Sequence, residues 1–216
     1  MTTQYDKISK EFKNADESFP DITRPILYSL IKKEKGKFLD LGCGYGEDLV
    51  FFQKKGFEVY GIDISKEMVK ESKSKCKSAK VSVSSFENLP YENSTFDIIS
   101  SRYALQHSEK IAPIFEEVYR VLKKGGEFVF LVTHPIRHYF EKKTKDYWKQ
   151  ENCSSLILGG KVRVEEFSHK LNEYLNGGIL SKFSLIEFIE EFDPGAEKIG
   201  GAGKYPSILI LKFVKK

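Results

Sequence analysis

The chain has 216 residues, enough for one large domain, and its 40% hydrophobic and 31% charged residues are ordinary for a globular protein. The net charge of +4 is mild, and no apolar run reaches the roughly 18 residues that a membrane span needs. The three cysteines lack metal-ligand spacing and the first residues lack the apolar core of a signal peptide, so we expect a cytoplasmic protein without a metal.

The predicted elements alternate between strands and helices. In chain order they are strand 37–41, helix 46–56, strand 57–63, helix 65–76, strand 80–85, strand 96–101, helix 112–126 and strand 127–133. Apolar strands separated by helices are typical of a parallel sheet that is covered on both faces. The chain is therefore predicted to adopt an α/β, doubly wound fold.

One predicted helix carries lysines on a single face, at positions 66, 70, 73, 77 and 80. We interpret this face as solvent-exposed, with Val69 and Cys76 turned inward and Ser65 as the N-cap. The alternative is a stripe that binds nucleic-acid phosphates.

The pattern changes after Thr133. Residues 134–170 are polar, aromatic-rich and irregular, and they follow the carboxyl end of the fifth strand, where insertions cover the ligand crevice of such folds. We expect a substrate lid there. Residues 171–181 indicate a helix, residues 183–192 suit either a strand or a helix, and residues 207–214 form a strand.

Three glycines, Gly42, Gly44 and Gly46, occupy alternate positions between the first strand and the first helix. Glycine permits positive φ and close approach of a ligand, and the following helix offers free amide donors. A dinucleotide fingerprint would have its third glycine where this chain has Glu47, whose carboxylate would repel a pyrophosphate. The turn therefore favours a nucleoside ligand without phosphates over a nicotinamide or flavin dinucleotide.

Asp63 ends the second strand, 17 residues after Gly46. From that neighbouring strand end its carboxylate can accept hydrogen bonds from both hydroxyls of a ribose. The glycine turn and this aspartate together predict a nucleoside site, whereas either feature alone would be weak.

The segments "FLDLGCGYG", "GIDISKEMV", "ENLPYENSTFDIISS" and "EEVYRVLKKGGEFVF" resemble, in order and spacing, class I S-adenosylmethionine-dependent methyltransferases. Within this family, the sequence most resembles the branch that acts on small molecules and quinones. The resemblance covers Tyr5 to Thr133, and a weaker one extends through "HKLNEYLN", "FSLIEFIEE" and "YPSILILKFVKK". It implies a seven-stranded, mostly parallel, Rossmann-like sheet, with residues 183–190 as a strand and the last strand inserted antiparallel between the fifth and sixth.

The resemblance also implies one domain in four parts. These are cofactor-covering helices in 1–35, a cofactor-binding core in 36–133, a lid or substrate insertion in 134–170, and a helix with the last two strands in 171–216.

The implied cofactor is S-adenosylmethionine, with S-adenosylhomocysteine as the product. The positions implied to hold its methionine part are Asp40, Gly42, Cys43, Gly44 and Gly46, with Ser101, Arg102 and Tyr103 at the amino-acid end. The positions implied to hold the adenosine are Asp63 on the ribose and Ile64, Phe86 and Glu87 on the adenine, with Tyr5 and Phe12 closing over the cofactor. Ser85 stands where family members usually have an acidic residue for the adenine amino group.

Methyl transfer from a sulfonium is an in-line displacement that requires neither a metal nor a covalent intermediate. A base is needed only where the acceptor must lose a proton. The candidates for catalysis are His134 and His107, and the candidates for the substrate pocket are Tyr103, His107, His134, Tyr139, Trp148 and Tyr174. Cys43 is interpreted as a packed side chain, because no basic neighbour is evident.

We therefore expect a methyltransferase that acts on a small organic acceptor, with nucleic acid an unlikely partner and the oligomeric state open. RNA or protein methylation is the alternative enzyme hypothesis. A cofactor-binding module without turnover is the alternative of another class, and Glu47 disfavours a nicotinamide oxidoreductase.

Overall fold

A computed structural model of the protein describes residues 2–19, 21–141, 143–192 and 205–216. The helices are α1 (Gln4–Glu17), α2 (Thr23–Leu30), α3 (Glu47–Lys54), α4 (Lys66–Lys75), α5 (Ala112–Val121), α6 (Arg137–Phe140), α7 (Leu171–Tyr174) and α8 (Gly177–Lys182), with a short 3-10 helix at Leu105–His107. The strands are β1 (Lys37–Leu41), β2 (Glu58–Asp63), β3 (Lys80–Val83), β4 (Phe96–Arg102), β5 (Leu122–Thr133), β6 (Asn152–Ile157), β7 (Val162–Phe167), β8 (Phe183–Glu191) and β9 (Ile208–Lys215).

Seven strands form the main sheet, in the order β3-β2-β1-β4-β5-β9-β8. The neighbours from β3 to β5 pair in parallel, while β9 pairs antiparallel with both β5 and β8. This confirms the predicted α/β sheet, the strand over residues 183–190 and the insertion of the last strand. The carboxyl ends of β1, β2 and β4 therefore meet at one edge, where ligands of such folds bind.

Both faces of the sheet are covered. Ile114 and Val118 of α5 belong to a cluster with the core of β4, β5 and β9, and they have no solvent exposure. Leu49 and Val69, from α3 and α4, pack on the opposite face against β1 and β2. Burial on two faces explains why these strands are almost continuously apolar.

The predicted helix 112–126 is too long. Helix α5 ends at Val121, and Leu122 already pairs with Phe96 of β4. A residue held in the sheet ladder cannot continue the helix, so the helix ends five residues earlier than predicted. The predicted helix 171–181 is also interrupted, because the Asn176 side chain accepts a hydrogen bond from the Ile179 amide at 3.1 Å and starts α8.

Residues 134–170 are more regular than expected. They contain α6 and an antiparallel hairpin of β6 and β7. The hairpin turns at Leu158, Gly159 and Gly160, which all have positive φ, a conformation that suits glycine. Inward residues alternate with outward ones along β7, so a period-two pattern in residues 162–167 specifies the hairpin.

The hairpin packs on α1 through a small separate core. Val162, Val164 and Ala15 are buried there, and five further apolar side chains pack against them, namely Tyr5, Ile8, Phe12, Ile157 and Leu158. We call α1 and the β6–β7 hairpin together the roof.

The five lysines predicted on one face of α4 and its continuation are exposed, while Val69 and Cys76 are buried, as expected. The Ser65 hydroxyl accepts from the Met68 amide at 3.2 Å, which confirms the N-cap. Within the described ranges, no helix combines the length and apolar character required to cross a membrane.

Candidate functional site

The glycine turn is attached directly to the end of the neighbouring strand. The Gly42 and Cys43 amides both donate to the Ile62 carbonyl oxygen at 2.9 Å, and the Gly46 amide donates to the Cys43 carbonyl oxygen at 2.9 Å. These bonds hold the turn after β1 against the end of β2. The sequence achieves this locally, because the two strands follow one another and are joined by α3 alone.

The three glycines do different work. A Cβ at Gly42 would lie 2.3 Å from the Ala104 Cβ, and a Cβ at Gly46 would lie 2.6 Å from the Ser72 Oγ, so these two allow close packing. Gly44 has a φ of +50° and nothing within 4 Å of the position of a Cβ. Gly44 therefore leaves its backbone open towards the cavity described next.

Asp63 faces this turn. Its Oδ2 accepts from the Gly44 amide at 3.0 Å, and its Oδ1 accepts from the Ser65 amide at 2.8 Å. Burial raises the pKa of the Asp63 carboxyl above its usual value, although both hydrogen bonds favour the ionised form. Each oxygen retains acceptor capacity for a further donor, because a carboxylate can accept about four hydrogen bonds.

A cavity of about 350 Å³ opens between this sheet edge and the roof. The predicted site residues that line it are Tyr5, Phe12, Asp40, Gly42, Cys43, Gly44, Gly46, Asp63, Ile64, Phe86, Arg102, Tyr103 and His107. Glu47, which replaces the third glycine of a dinucleotide fingerprint, also lines the cavity. The structure thus brings together residues that lie more than 100 positions apart in the chain.

Other predicted site residues lie elsewhere. Those that do not line this cavity are Ser85, Glu87, Ser101, His134, Tyr139, Trp148 and Tyr174. The Ser101 hydroxyl instead donates to the Leu41 carbonyl oxygen at 2.8 Å, Tyr174 is buried in the main core, and Trp148 is 73% exposed. The roles given to these residues stay predictions, and this geometry gives none of them a direct contact with the cavity.

His134, the first catalytic candidate, is occupied by structural contacts. Its Nε2 lies 2.9 Å from a Glu190 carboxylate oxygen, and its Nδ1 accepts from the Ile136 amide at 3.2 Å. With Nδ1 accepting, the Nε2 carries the proton and donates to Glu190. Both ring nitrogens are thus engaged in holding the loop after β5 to β8, and the role of His134 at the acceptor stays a prediction.

A cluster of charges at one end of the cavity was not predicted from the sequence. Arg24 donates to Asp48 and Asp21 at 2.7 Å and to Asp16 at 3.2 Å. The Arg102 guanidinium lies 3.3 Å from Asp21. The sequence indicates this cluster only weakly, through the helical spacing of Asp21 and Arg24. The carboxylates that Arg24 binds come from three separate segments of the chain.

Asp40 lines the cavity beside this cluster, and burial, followed by the charge of Asp48, raises the pKa of its carboxyl well above the usual value. Three carboxylates thus share two guanidinium groups, and a further buried acid stands beside them. Such a site can receive both charges of an amino acid.

Another part of the cavity wall combines apolar and ionisable groups. Leu156, Leu158 and Val164 of the roof line it, together with Glu166 and His107. The Glu166 carboxylate accepts from the Thr133 hydroxyl at 3.0 Å and lies 3.5 Å from the His138 Nε2. No sequence motif indicates Glu166, since it belongs to the β6–β7 hairpin, in a segment whose pattern is predicted to be irregular.

Glu166 is ionised despite its burial. Burial by itself raises the pKa of this carboxyl, but the nearby His138, His107 and Arg137 and a hydrogen bond from Ser155 outweigh it and lower the pKa below the usual value. The Glu166 carboxylate therefore contributes a negative charge to the cavity wall.

Cys43 is a packed side chain, as expected. A Cβ on Gly61 of β2 would lie 2.9 Å from the Cys43 sulfur, so the thiol fills the space that this glycine leaves. Burial, with Asp40 and Asp63 nearby, raises the pKa of the thiol well above its usual value, which suppresses the reactive thiolate.

The cavity fits the cofactor that the resemblance implies. The Asp63 carboxylate has spare capacity for ribose hydroxyls, and Gly44 leaves open the space that a Cβ would fill. Asp40 and Arg102 offer a carboxyl group and a guanidinium, beside which an ammonium and a carboxylate can lie. Because Asp63, Gly44 and this charged group all line the one cavity, a zwitterionic nucleoside matches the cavity's chemistry.

The chain is similar to known proteins in sequence. Residues 39–130 match the methyltransferase domain family. A sarcosine/dimethylglycine N-methyltransferase of Aphanothece halophytica is 37% identical over 101 residues, which cover 44% of this chain and 36% of that protein. An uncharacterised protein of Methanocaldococcus jannaschii is 35% identical over 175 residues, covering 74% of this chain and 67% of that protein.

The fold is also known. An S-adenosylmethionine-dependent methyltransferase from Mesorhizobium loti superposes with a TM-score of 0.67 at 21% identity, over 88% of this chain and 96% of that one. For eight of the curated relatives that it matches, the chain spans between 25% and 67% of the relative's length. The family match, residues 39–130, runs from β1 into β5 of the sheet.

Proposed function

The chain belongs to the class I S-adenosylmethionine-dependent methyltransferase family, and from this membership we propose that it transfers a methyl group to a small organic acceptor. The observation that carries the proposal is the pairing of Asp63 with the open Gly44, at 3.0 Å, on the wall of a roofed cavity. This arrangement suits a ribose at the strand end and an uncharged linkage beside the bare backbone.

S-adenosylmethionine supplies a methyl group on a positively charged sulfur that leaves as a neutral thioether. The protein's part is to bind, orient and exclude water. On this proposal Asp63, Ile64 and Phe86 hold the adenosine, and Asp40 and Arg102 hold the amino-acid end. The roof residues close the cavity above them.

A small acceptor is supported by the lining of the cavity. The roof covers the cavity with apolar side chains, among them Leu156 and Val164, and an apolar cover suits a small organic molecule. The Aphanothece relative is named for acting on sarcosine and dimethylglycine, which are small molecules.

Calorimetry with S-adenosylhomocysteine tests the cofactor site. Asp63→Ala removes a charged hydrogen-bond acceptor, and we expect a loss of affinity of about 100-fold, which corresponds to about 3 kcal/mol. The matched control is Glu58→Ala at the other end of the same strand, where the carboxylate bonds to Lys80. Glu58→Ala is expected to keep the affinity. Failure of the wild-type chain to bind either form of the cofactor would contradict the proposal.

A further inference from the structure

Two side chains from distant segments of the chain meet on the wall of the cavity. The Tyr5 hydroxyl of α1 lies 2.9 Å from the Nε2 of His107, which ends the short helix after β4. Both residues line the cavity. A phenol and an imidazole in hydrogen-bond contact can pass a proton from one to the other.

The second ring nitrogen of His107 fixes the direction of this hydrogen bond. Its Nδ1 lies 2.9 Å from the backbone carbonyl oxygen of Glu165, in β7 of the roof. A carbonyl oxygen only accepts, so Nδ1 carries the hydrogen. A neutral imidazole has one N–H, and the Nε2 therefore presents its lone pair, to which the Tyr5 hydroxyl donates.

Gln4 fixes the position of that carbonyl. Its Nε2 donates to the Glu165 oxygen at 2.9 Å, and its Oε1 accepts from the Glu165 amide at 2.9 Å, so the side-chain amide pairs with the outer edge of β7. The Gln4 Nε2 lies 3.4 Å from the His107 Nδ1, a longer contact that does not displace the carbonyl. Tyr5, His107 and Glu165 are therefore aligned only while the roof is closed.

The charges around the pair suit a base. Burial lowers the pKa of His107, although the Glu166 charge opposes this, and the imidazole is neutral at pH 7. Burial raises the pKa of the Tyr5 hydroxyl, so the phenol stays protonated. Glu166 itself is a weak base, because its pKa is lowered, but its negative charge stabilises an imidazolium.

We propose that Tyr5 and His107 together form the general base of the transfer, and that the acceptor is accordingly a molecule whose attacking atom carries a proton, a hydroxyl or an amine. This inference rests on the proposed function and adds to it. A carboxylate acceptor carries no proton and needs no base, so Tyr5 and His107 would take no part in its methylation.

The step balances as follows. The acceptor's O–H or N–H bond breaks, and its proton joins the Tyr5 oxygen while the Tyr5 proton moves to the His107 Nε2. The acceptor's electron pair forms the bond to the methyl carbon, and the bonding pair of the carbon leaves with the sulfur. The positive charge passes from the sulfonium to the imidazolium, which then releases its proton to solvent.

Nitrogen-15 NMR of the histidine rings, on the full chain with S-adenosylhomocysteine, tests the geometry. We expect the Nδ1–H form of His107, and we expect Tyr5→Phe to shift the Nε2 resonance while the Nδ1–H form persists. Tyr119→Phe is the matched control, because Tyr119 of α5 packs against Phe183 and does not line the cavity. An Nε2–H form in the wild type, or an Nε2 indifferent to Tyr5→Phe, would overturn the proposal.

Transfer of labelled methyl from S-adenosylmethionine tests the chemistry, with hydroquinone, sarcosine and a malonate monoester as probes. Transfer to hydroquinone or sarcosine is expected, with kcat lowered about 100-fold in Tyr5→Phe and His107→Gln and affinity for S-adenosylhomocysteine lowered much less.

The outcomes separate the two proposals. Transfer only to the monoester, or transfer undiminished in both variants, overturns the base and leaves the methyltransferase proposal in place. Absence of cofactor binding in the wild type overturns the proposed function and the base with it. If no probe is methylated, the NMR result decides between a Tyr5 and His107 pair that is aligned as a base and one that is not.

Discussion

The sheet edge and the roof, which both line the cavity, are built in opposite ways. The glycine turn and Asp63 come from one β1-α3-β2 unit, and backbone hydrogen bonds hold them together. The roof joins residues such as Gln4 and Glu165, which lie 161 positions apart, mainly through side chains. The sheet edge is therefore specified by local geometry and the main core, while the roof depends on a small core of its own.

This difference predicts unequal stability. A unit attached to a seven-stranded sheet opens only when the sheet does, whereas a satellite core of three buried residues can open by itself. Opening of the roof would admit ligands and would separate Tyr5 from His107.

The largest effect is expected at the glycine turn. Gly42→Ala places a Cβ 2.3 Å from the Ala104 Cβ at a φ of +78°, so overpacking and backbone strain should together lower the free energy of unfolding by about 3 kcal/mol or more. Gly44→Ala, in open space, should cost only about 1 kcal/mol and chiefly weaken cofactor binding. Urea denaturation and calorimetry measure both. Equal losses of stability would contradict the assignment of packing to Gly42.

Two matched valines test the independence of the roof. Val59→Ala in β2 should lower the global free energy of unfolding by about 2 kcal/mol. Val162→Ala in the roof removes the same atoms, but it should act on local opening and speed amide exchange of the hairpin about 30-fold with little change in global stability. Both valines are nearly inaccessible to solvent. Global destabilisation by Val162→Ala would show that the roof unfolds only with the sheet.

The pH dependence of kcat should report the protonation of His107, the proposed base that Tyr5 of the roof contacts. His107 must be neutral to accept a proton, and burial holds its pKa below the usual 6.5, so kcat should be level above pH 6.5. It should fall about tenfold per pH unit below the pKa. The groups that act on this ring are Tyr5, Glu166 and His169, and Tyr5 does not ionise in this range because its pKa is raised. An acid limb centred above pH 7 would be inconsistent with His107 as base.

The smallest effect concerns the contact between α1 and the hairpin. Gln4→Ala removes two hydrogen bonds of 2.9 Å at the edge of β7, which we expect to cost about 1 kcal/mol and to speed dissociation of S-adenosylhomocysteine about fivefold. Stopped-flow fluorescence can measure the rate. Lys161→Ala is the control, because its exposed bond to Ser18 also joins hairpin and helix but should contribute almost nothing. If the dissociation rate of S-adenosylhomocysteine is unchanged in Gln4→Ala, opening of the roof does not control release of the ligand.

The sequence alone predicted the sheet and the cofactor end. Alternating apolar strands and helices indicated the parallel core, and the glycines with Asp63 could be placed together because adjacent parallel strands end at the same edge. Local rules also specified the N-cap at Ser65. These features depend on residues that are close in sequence or on a topology with few alternatives.

The tertiary structure alone decided the roof and its chemistry. The hairpin pattern was present in residues 152–167, but no local rule places β7 beside α1. His134 follows the fifth strand at the expected position and yet bonds to Glu190, while His107 reaches Tyr5. Which histidine meets the cavity depends on contacts between residues 56 and 102 positions apart, and sequence spacing carries no information about those contacts.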